Sequence, residues 1–202
     1  MLHNCMEFIL KEEKTPEQLI EENYSSHNHT VTQEQVDTLI KRALAAFDQL
    51  PGKFGPMEYE VEVRVNYPGI DAFGTVDVIA TTDKYTIILD WKFGRGNKVI
   101  GSDINYQLLF YAALAMLTEG VSDMFDPAKP VVLAIIQPTM EEVLTFGLVG
   151  HNKLKAFADD IRLAVKRVED GDETLNSGKW CRYCPAAPMC PAKITQAQGL
   201  LR

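Results

Sequence analysis

The sequence of 202 residues lacks the apolar run of about 18–20 residues that a membrane-spanning helix needs. Its start, Met1-Leu2-His3-Asn4-Cys5, has neither a cationic end nor an apolar stretch, so we expect no secretory signal. It also lacks repeats, low-complexity segments and linkers rich in Ser, Gly or Pro. These absences predict a globular cytoplasmic protein with no membrane partner.

Cysteine is scarce, with only four residues, and Cys181, Cys184 and Cys190 stand within ten positions of one another. Four cysteines are too few for a disulfide framework, and their clustering favours a metal or cluster site in a reducing compartment. Thiolates bind both zinc and iron–sulfur clusters, and spacing alone leaves both occupants open.

Positive charge is in deficit, because 20 Lys and Arg residues face 28 Asp and Glu residues and give a net charge of −8. Such a balance argues against binding that depends on diffuse attraction to phosphates. It leaves open a nucleic-acid enzyme whose carboxylates are neutralised by bound cations.

The order of hydrophobic patterns predicts an α/β (α+β) fold, a central mixed β-sheet flanked by helices. Thr32 and Gln35 form the pattern of a capping box, and Pro51-Gly52 marks the expected end of the helix that follows. The apolar residues of the first predicted strand, about 58–65, are expected to share one face of that strand. Helical patterns cover about 3–11, 16–23, 32–50, 102–115 and 151–169, with a loop at 24–30. Strand patterns cover about 58–65, 73–80, 85–91, 131–137 and 143–149.

Charged residues interrupt two neighbouring strand patterns. Asp77 lies inside one of them, Asp90 ends the apolar run of the next, and Lys92 follows on the same side of the strand. If the two strands form a hairpin, both carboxylates and the ammonium group converge at an edge of the sheet. This arrangement suits Mg²⁺, which prefers oxygen ligands. The alternative is a surface salt bridge between Asp90 and Lys92, with Asp77 merely ending its strand.

Three motifs in order make the first interpretation more specific: Gly74-x-x-Asp77, Asp90-x-Lys92 and Gln107-x-x-x-Tyr111. Together they resemble the PD-(D/E)xK nuclease superfamily and its RecB-like branch, which includes iron–sulfur exonucleases of CRISPR adaptation and phage exonucleases. The resemblance runs from about residue 3 to 192. It implies a restriction-endonuclease-like core over residues 1–178 and a small cysteine-bearing lobe over 179–202, in a bacterial or phage-infected cell.

The resemblance also implies a role for each matching residue. Asp77, Asp90, the carbonyl of Trp91 and an additional histidine, His3, would hold Mg²⁺ or Mn²⁺. Lys92 matches the catalytic lysine. Gln107 and Tyr111 match the helix motif that lines the site and touches DNA, and residues four apart share one helical face.

The cysteine pattern C-x2-C-x5-C, with prolines after its second and third cysteines, resembles the C-terminal cluster ligands of these nucleases. By that resemblance Cys181, Cys184, Cys190 and one N-terminal cysteine would hold a [4Fe–4S] cluster, with zinc as the alternative occupant. Cys5 is the candidate for the fourth ligand.

Weaker signals surround these motifs. Arg95 and Lys98 follow Lys92 in a glycine-containing segment that either contacts a DNA backbone or is a solvated loop. Glu60 is a further candidate carboxylate, although Glu58 and Glu62 share its predicted face and an acidic solvated strand explains all three. The segment His27-Asn28-His29 is interpreted as ordinary polar surface.

The resemblance to PD-(D/E)xK nucleases implies the function of a metal-dependent deoxyribonuclease, foremost an exonuclease, in DNA recombination, repair or phage DNA processing. DNA is the expected partner, with a homo-oligomer or a recombination or repair protein as further partners. The alternative is a non-catalytic module that binds nucleic acid or a protein partner on the same scaffold.

Overall fold

A computed structural model describes the backbone of residues 1–20, 23–24, 29–94 and 96–199, and the side chains of 1–20, 30–94 and 96–195. The chain divides into two compact units, Met1–Ile161 and a second unit from Arg162 onward. The predicted boundary at 178–179 lies within the second unit and stays a prediction. Within the described residues, no helix combines the length and apolarity needed to cross a membrane.

A mixed five-stranded sheet forms the centre of the first unit, which confirms the predicted α/β class. Its strands are β3 (Met57–Asn66), β4 (Phe73–Thr82), β5 (Thr86–Trp91), β6 (Val131–Ile136) and β7 (Leu144–Val149), in that spatial order. All pairings are antiparallel except that of β5 with β6. Strands β5 and β6 are buried throughout, as expected of strands covered on both faces.

Helices that precede the sheet in the chain cover one of its faces. They are α1 (Leu2–Leu10), a 3-10 turn (Glu17–Leu19), α2 (Gln33–Gln35), a π-helical stretch (Val36–Ile40), α3 (Lys41–Phe47) and α4 (Leu50–Phe54). The predicted capping box is confirmed, because Thr32 Oγ1 accepts from Gln35 N and Gln35 Oε1 accepts from Thr32 N. The buried side chains of these helices form one hydrophobic cluster with Val78, Leu89 and Trp91 of the sheet.

Three predictions for this layer are wrong. Among the described residues of the helix expected over 16–23, only Glu17–Leu19 form a helical turn, and short strands β1 (Asn23–Tyr24) and β2 (His29–Thr30) pair at the ends of the expected loop. Pro51-Gly52 does not stop helical structure but lies at the start of α4. A proline in the first helical turn lacks only an N–H that would have no partner there.

The other face of the sheet is covered by α5 (Tyr106–Ala115) and by the first part of α6 (His151–Glu169), after a 3-10 turn at Ser122–Met124. Asn105 caps α5 by accepting from Leu108 N, so the helix begins later than the predicted Ser102. Helix α5 connects the parallel strands β5 and β6, and it packs against β3, β4, β5 and β6.

The pleat of β3 and β4 reverses in the middle of both strands. Val61 and Val78 contribute to the cluster under α1–α4, whereas Val63 and Val76 belong to the cluster under α5. Residues two apart in a regular strand share a face, so the expectation that the apolar residues of β3 face one way is wrong. The reversal falls at Glu62 and at the residue across from it, Asp77.

The second unit contains the end of α6, two 3-10 turns and α7 (Pro191–Gly199). The turns are Lys179–Tyr183 and Ala187–Met189, and each is followed at once by a cysteine, Cys184 and Cys190. This unit therefore carries the predicted C-terminal cysteine lobe as a run of short helical turns.

The segment between β5 and α5 lies flat against the backbone of the sheet at Gly101. Its N–H donates to Thr145 Oγ1 at 2.8 Å. A Cβ at this position would stand 2.7 Å from Leu133 O and 2.9 Å from Ile135 N, and even closer to Thr145 O. Only glycine permits this approach, which fixes the path of the chain into α5.

We therefore predict that Gly101→Ala lowers the free energy of unfolding by about 1–3 kcal/mol, because the backbone must move to admit the methyl group. Chemical denaturation of both variants measures the effect. Gly52→Ala is the matched control, since a Cβ there meets nothing within 4 Å and alanine suits a helix better. Equal stability of the two variants would contradict the proposed close approach.

Candidate active site

Polar groups from both helical layers meet where β5 ends. Asp90, the penultimate residue of β5, follows three buried apolar residues and is itself only 3% exposed. Its neighbours Leu89 and Trp91 point into the cluster under α1–α4, so the Asp90 side chain points toward α5. A carboxylate placed this deeply requires polar partners.

Gln107, in the first turn of α5, supplies one partner and links the groups around it. Its Nε2 donates to Asp90 Oδ1 at 2.9 Å and to the Tyr111 hydroxyl at 3.2 Å. Its Oε1 accepts from Lys92 Nζ at 2.8 Å. The three predicted site residues Lys92, Gln107 and Tyr111 are thereby brought together with Asp90.

Lys92 also forms an ion pair with the second oxygen of the carboxylate, with Nζ 2.6 Å from Asp90 Oδ2. Among the described residues, Oδ2 is the buried side-chain atom without a hydrogen bond, so the Lys92 ammonium group is its ionic partner. The oxygen is thus electrostatically compensated but keeps unused capacity to accept, which suits a further cationic ligand.

Asp77 reaches the site from β4. Backbone pairing between β4 and β5 ends at Val78 and Leu89, and two residues further along β5 the Trp91 N–H donates to Asp77 Oδ2 at 2.7 Å. The side chain of Asp77 therefore takes the place of a backbone acceptor at the end of the ladder. The predicted hairpin of β4 and β5 places Asp77 and Asp90 side by side, as expected.

His3 approaches from α1, on the opposite layer from Gln107. Its Nε2 lies 2.9 Å from the carbonyl oxygen of Trp91 and 3.8 Å from Asp77 Oδ2. The ring packs edge-on against Phe93, with the centroids 5.4 Å apart. The four groups expected to hold a cation, namely His3, Asp77, Asp90 and the carbonyl of Trp91, thus belong to one neighbourhood.

Burial raises the pKa of both carboxyl groups, and at Asp77 the charge of Asp90 adds to the shift. Loss of hydration, followed by the charge of Asp90, raises the pKa of Asp77 from 3.8 to about 7, although the Trp91 N–H opposes the shift. Burial also raises the pKa of Asp90, and Lys92 works against that increase. Two crowded carboxylates of raised pKa are typical of functional sites.

The donor set fits a hard divalent cation in its chemistry. Two carboxylates and a backbone carbonyl are oxygen ligands of the kind that Mg²⁺ and Mn²⁺ use. The imidazole of His3 would add a nitrogen ligand for Mn²⁺. Within the described residues, no three His, Cys, Asp or Glu side chains are grouped so as to hold a metal ion. His3 Nε2 now contacts the Trp91 carbonyl and Lys92 Nζ contacts Asp90 Oδ2, two of the oxygen atoms that a cation would use.

The glycine of the Gly-x-x-Asp motif has a steric explanation. A Cβ on Gly74 would stand 2.8 Å from Cε1 of the Tyr111 ring, so glycine lets α5 approach the start of β4. This close approach brings Tyr111 and Gln107 over the carboxylates. Glu62, which the sequence predicted to be solvated with Glu58 and Glu60, is instead partly buried, and its charge contributes to the raised pKa of Asp77.

Other candidate residues lie apart from this constellation or beyond the described chain. Glu58 and Glu60 are exposed on β3, which favours the solvated interpretation for these two. Lys98 forms an ion pair with Glu142. Arg95, His27 and the side chain of His29 lie outside the described residues, so a DNA contact by Arg95 and Lys98 stays a prediction.

All four cysteines lie in the described part of the chain, and none of them forms a disulfide. Cys181, Cys184 and Cys190 occur in the second unit, where the Gly178 N–H donates to Cys181 Sγ at 3.3 Å. Cys5 belongs to the first unit and is fully buried in its hydrophobic cluster. An iron–sulfur or zinc site with these ligands stays a prediction.

The chain belongs to the DUF2800 family, described as a protein of unknown function, which it matches over residues 2–202. No curated protein matches the sequence. Twelve solved chains match, among them the crystal structure of SSO0001, at 20% identity over 80% of this chain and 72% of that one. The TM-score of 0.35 is too low for this likeness to bear on the site.

The raised pKa of Asp77 predicts how the stability of the metal-free protein depends on pH. The folded state holds a proton up to about pH 7, whereas the unfolded chain releases it near 3.8. The free energy of unfolding is therefore expected to fall as pH rises across this window, by at most about 1.4 kcal/mol per pH unit from this group.

Denaturation of the wild type and of Asp77→Asn across this pH range isolates the contribution of Asp77. The variant should lack that part of the decline, because an amide does not titrate. Asp48→Asn, which replaces an exposed carboxylate, should keep it. Identical pH profiles for the wild type and Asp77→Asn would show that the pKa of Asp77 is not raised.

Proposed function

We propose that this protein is a metal-dependent DNA nuclease, an exonuclease of the PD-(D/E)xK type with a RecB-like arrangement of site residues. One observation carries the proposal: His3, Asp77, Asp90, Lys92 and Gln107 come from both helical layers and from two strands, and they meet at the end of β5. A surface salt bridge alone would not need a buried second carboxylate or a bridging glutamine.

Each side chain has a definable task in phosphodiester hydrolysis. Asp77 and Asp90 supply the negative charge that would hold Mg²⁺ or Mn²⁺ together with His3 and the Trp91 carbonyl. When bound, such an ion supplies Lewis-acid chemistry, neutralising charge on a phosphate and lowering the pKa of water. The ammonium group of Lys92 stabilises charge that develops on the phosphate oxygens.

Gln107 keeps the catalytic lysine in place. Because its amide bonds Lys92 Nζ through one atom and Asp90 Oδ1 through the other, the two charged groups are held at a fixed separation. Tyr111 supports the same amide from the next turn of α5. Orientation of this kind reduces the reorganisation that the reaction would otherwise require.

The substrate and setting follow from the same proposal. The net charge of −8 limits DNA contact to a local surface around the site rather than the whole protein. Recombination, repair or phage DNA processing is the proposed role. A [4Fe–4S] cluster or a zinc ion held by Cys181, Cys184 and Cys190 of the second unit belongs to this proposal as a structural element.

Degradation of linear DNA in the presence of Mn²⁺ tests the proposal. Asp90→Asn and Lys92→Ala should each reduce the rate at least about 100-fold, because each removes a charge required near the scissile phosphate. Asp48→Asn and Lys84→Ala are matched controls at exposed positions and should retain activity. Covalently closed circular DNA, offered in parallel, should resist an exonuclease.

Activity that survives both site substitutions would refute the catalytic assignment. A wild-type protein that binds DNA but neither cleaves it nor binds Mn²⁺ would instead favour a non-catalytic binding module on the same scaffold. Circular dichroism of every variant establishes that a loss of activity is not a loss of fold.

A further inference from the structure

Glu62 has a backbone conformation that is unusual for its position. Among the described residues, the non-glycine residues with positive φ are Glu12, at 59°, and Glu62, at 53°. Glu12 lies just beyond the end of α1, where left-handed conformations are common. Glu62 lies inside a strand, where a side chain with a Cβ disfavours this conformation.

The position of Glu62 in the sheet links it to Asp77. Val61 pairs with Val78 and Val63 pairs with Val76, so Glu62 and Asp77 stand opposite each other where the regular pairing is interrupted. The pleat of both strands reverses at this point. A left-handed residue departs from the extended backbone of a strand and so disturbs the regular alternation of its side chains, here without adding a residue to the register.

The reversal determines where the Asp77 carboxylate points. Its two neighbours, Val76 and Val78, face opposite layers, so Asp77 occupies the transition between the faces instead of either face. From there Oδ2 accepts the Trp91 N–H at 2.7 Å and lies 3.8 Å from His3 Nε2. A strand of regular pleat would present residue 77 to a single layer.

We propose that Glu62 is a positioning residue of the candidate metal site, and that its left-handed backbone aims Asp77 at the end of β5. The part of the inference that concerns cation binding rests on the proposed nuclease function, whereas the part that concerns the direction of Asp77 does not. The side chain of Glu62 is half-buried near Glu7 and Lys11, and its charge acts on Asp77 as a separate effect.

Substitutions that differ in backbone preference separate these two effects. Glycine and asparagine accept positive φ readily, glutamine matches glutamate in shape, and valine rejects this conformation. All four lack the carboxylate. The series Glu62→Gly, Glu62→Asn, Glu62→Gln and Glu62→Val therefore keeps the loss of charge constant, while its members differ in backbone preference and in side-chain size.

The first readout needs no metal. Amide exchange and the proton chemical shift of the Trp91 N–H, measured by NMR, report its hydrogen bond to Asp77. The Lys92 N–H, which donates to Ile136 O at 2.9 Å on the other side of β5, is the internal control. The second readout is the dissociation constant for Mn²⁺ alone, measured by calorimetry.

If the backbone of Glu62 positions Asp77, the glycine, asparagine and glutamine variants keep the Trp91 protection within about threefold of one another. Glu62→Val should lose at least about tenfold in that protection and in Mn²⁺ affinity, with Lys92 unchanged. Equal losses in all four variants would overturn the proposal in favour of the carboxylate. Wild-type behaviour of Glu62→Val would also overturn it.

Two further outcomes distinguish a failure of the positioning role of Glu62 from a failure of the proposed nuclease function. If Glu62→Val fails to fold, Glu62→Gly still decides, because loss of the Trp91 hydrogen bond in this backbone-permissive variant contradicts the inference. If the wild type binds no Mn²⁺, the proposed nuclease function fails. The Trp91 amide then tests the positioning role by itself.

Discussion

The burial of two carboxylates, Asp77 and Asp90, at one end of the sheet is the constraint on which the surrounding structure depends. Removing an ionised group from water costs several kcal/mol unless partners compensate for the lost hydration. The Trp91 amide, the Gln107 amide and the Lys92 ammonium supply that compensation from three different directions. The compensation is incomplete, because the pKa values of Asp77 and Asp90 stay raised and Asp90 Oδ2 accepts no hydrogen bond. Both features favour a bound cation.

The layered fold is what allows these partners to meet. His3 comes from the layer under α1–α4 and Gln107 from the layer under α5, and the end of β5 is accessible to both. Gly74 allows α5 to approach β4, and Gly101 holds the preceding segment flat on the sheet. Backbone contacts distant in sequence therefore determine the positions of a few polar side chains.

Local chemical signals account for what the sequence predicts well. The strand patterns, the Thr32 capping box and the hairpin that aligns Asp77 with Asp90 depend on neighbouring residues, and the structure contains all three. The left-handed Glu62 leaves no such signal, because glutamate is not a residue that predicts positive φ. The helical role of Pro51-Gly52 was missed because the same dipeptide is typical of turns, and only packing of α4 decides between them.

The most direct test of the central claim is a crystal structure of the protein soaked in Mn²⁺, with diffraction collected on both sides of the manganese absorption edge. We expect an anomalous peak between the carboxylates of Asp77 and Asp90, with His3 and the Trp91 carbonyl as neighbours. An anomalous map without a peak there, with Asp90 still paired to Lys92 and Gln107, would contradict the claim that these carboxylates form a metal centre.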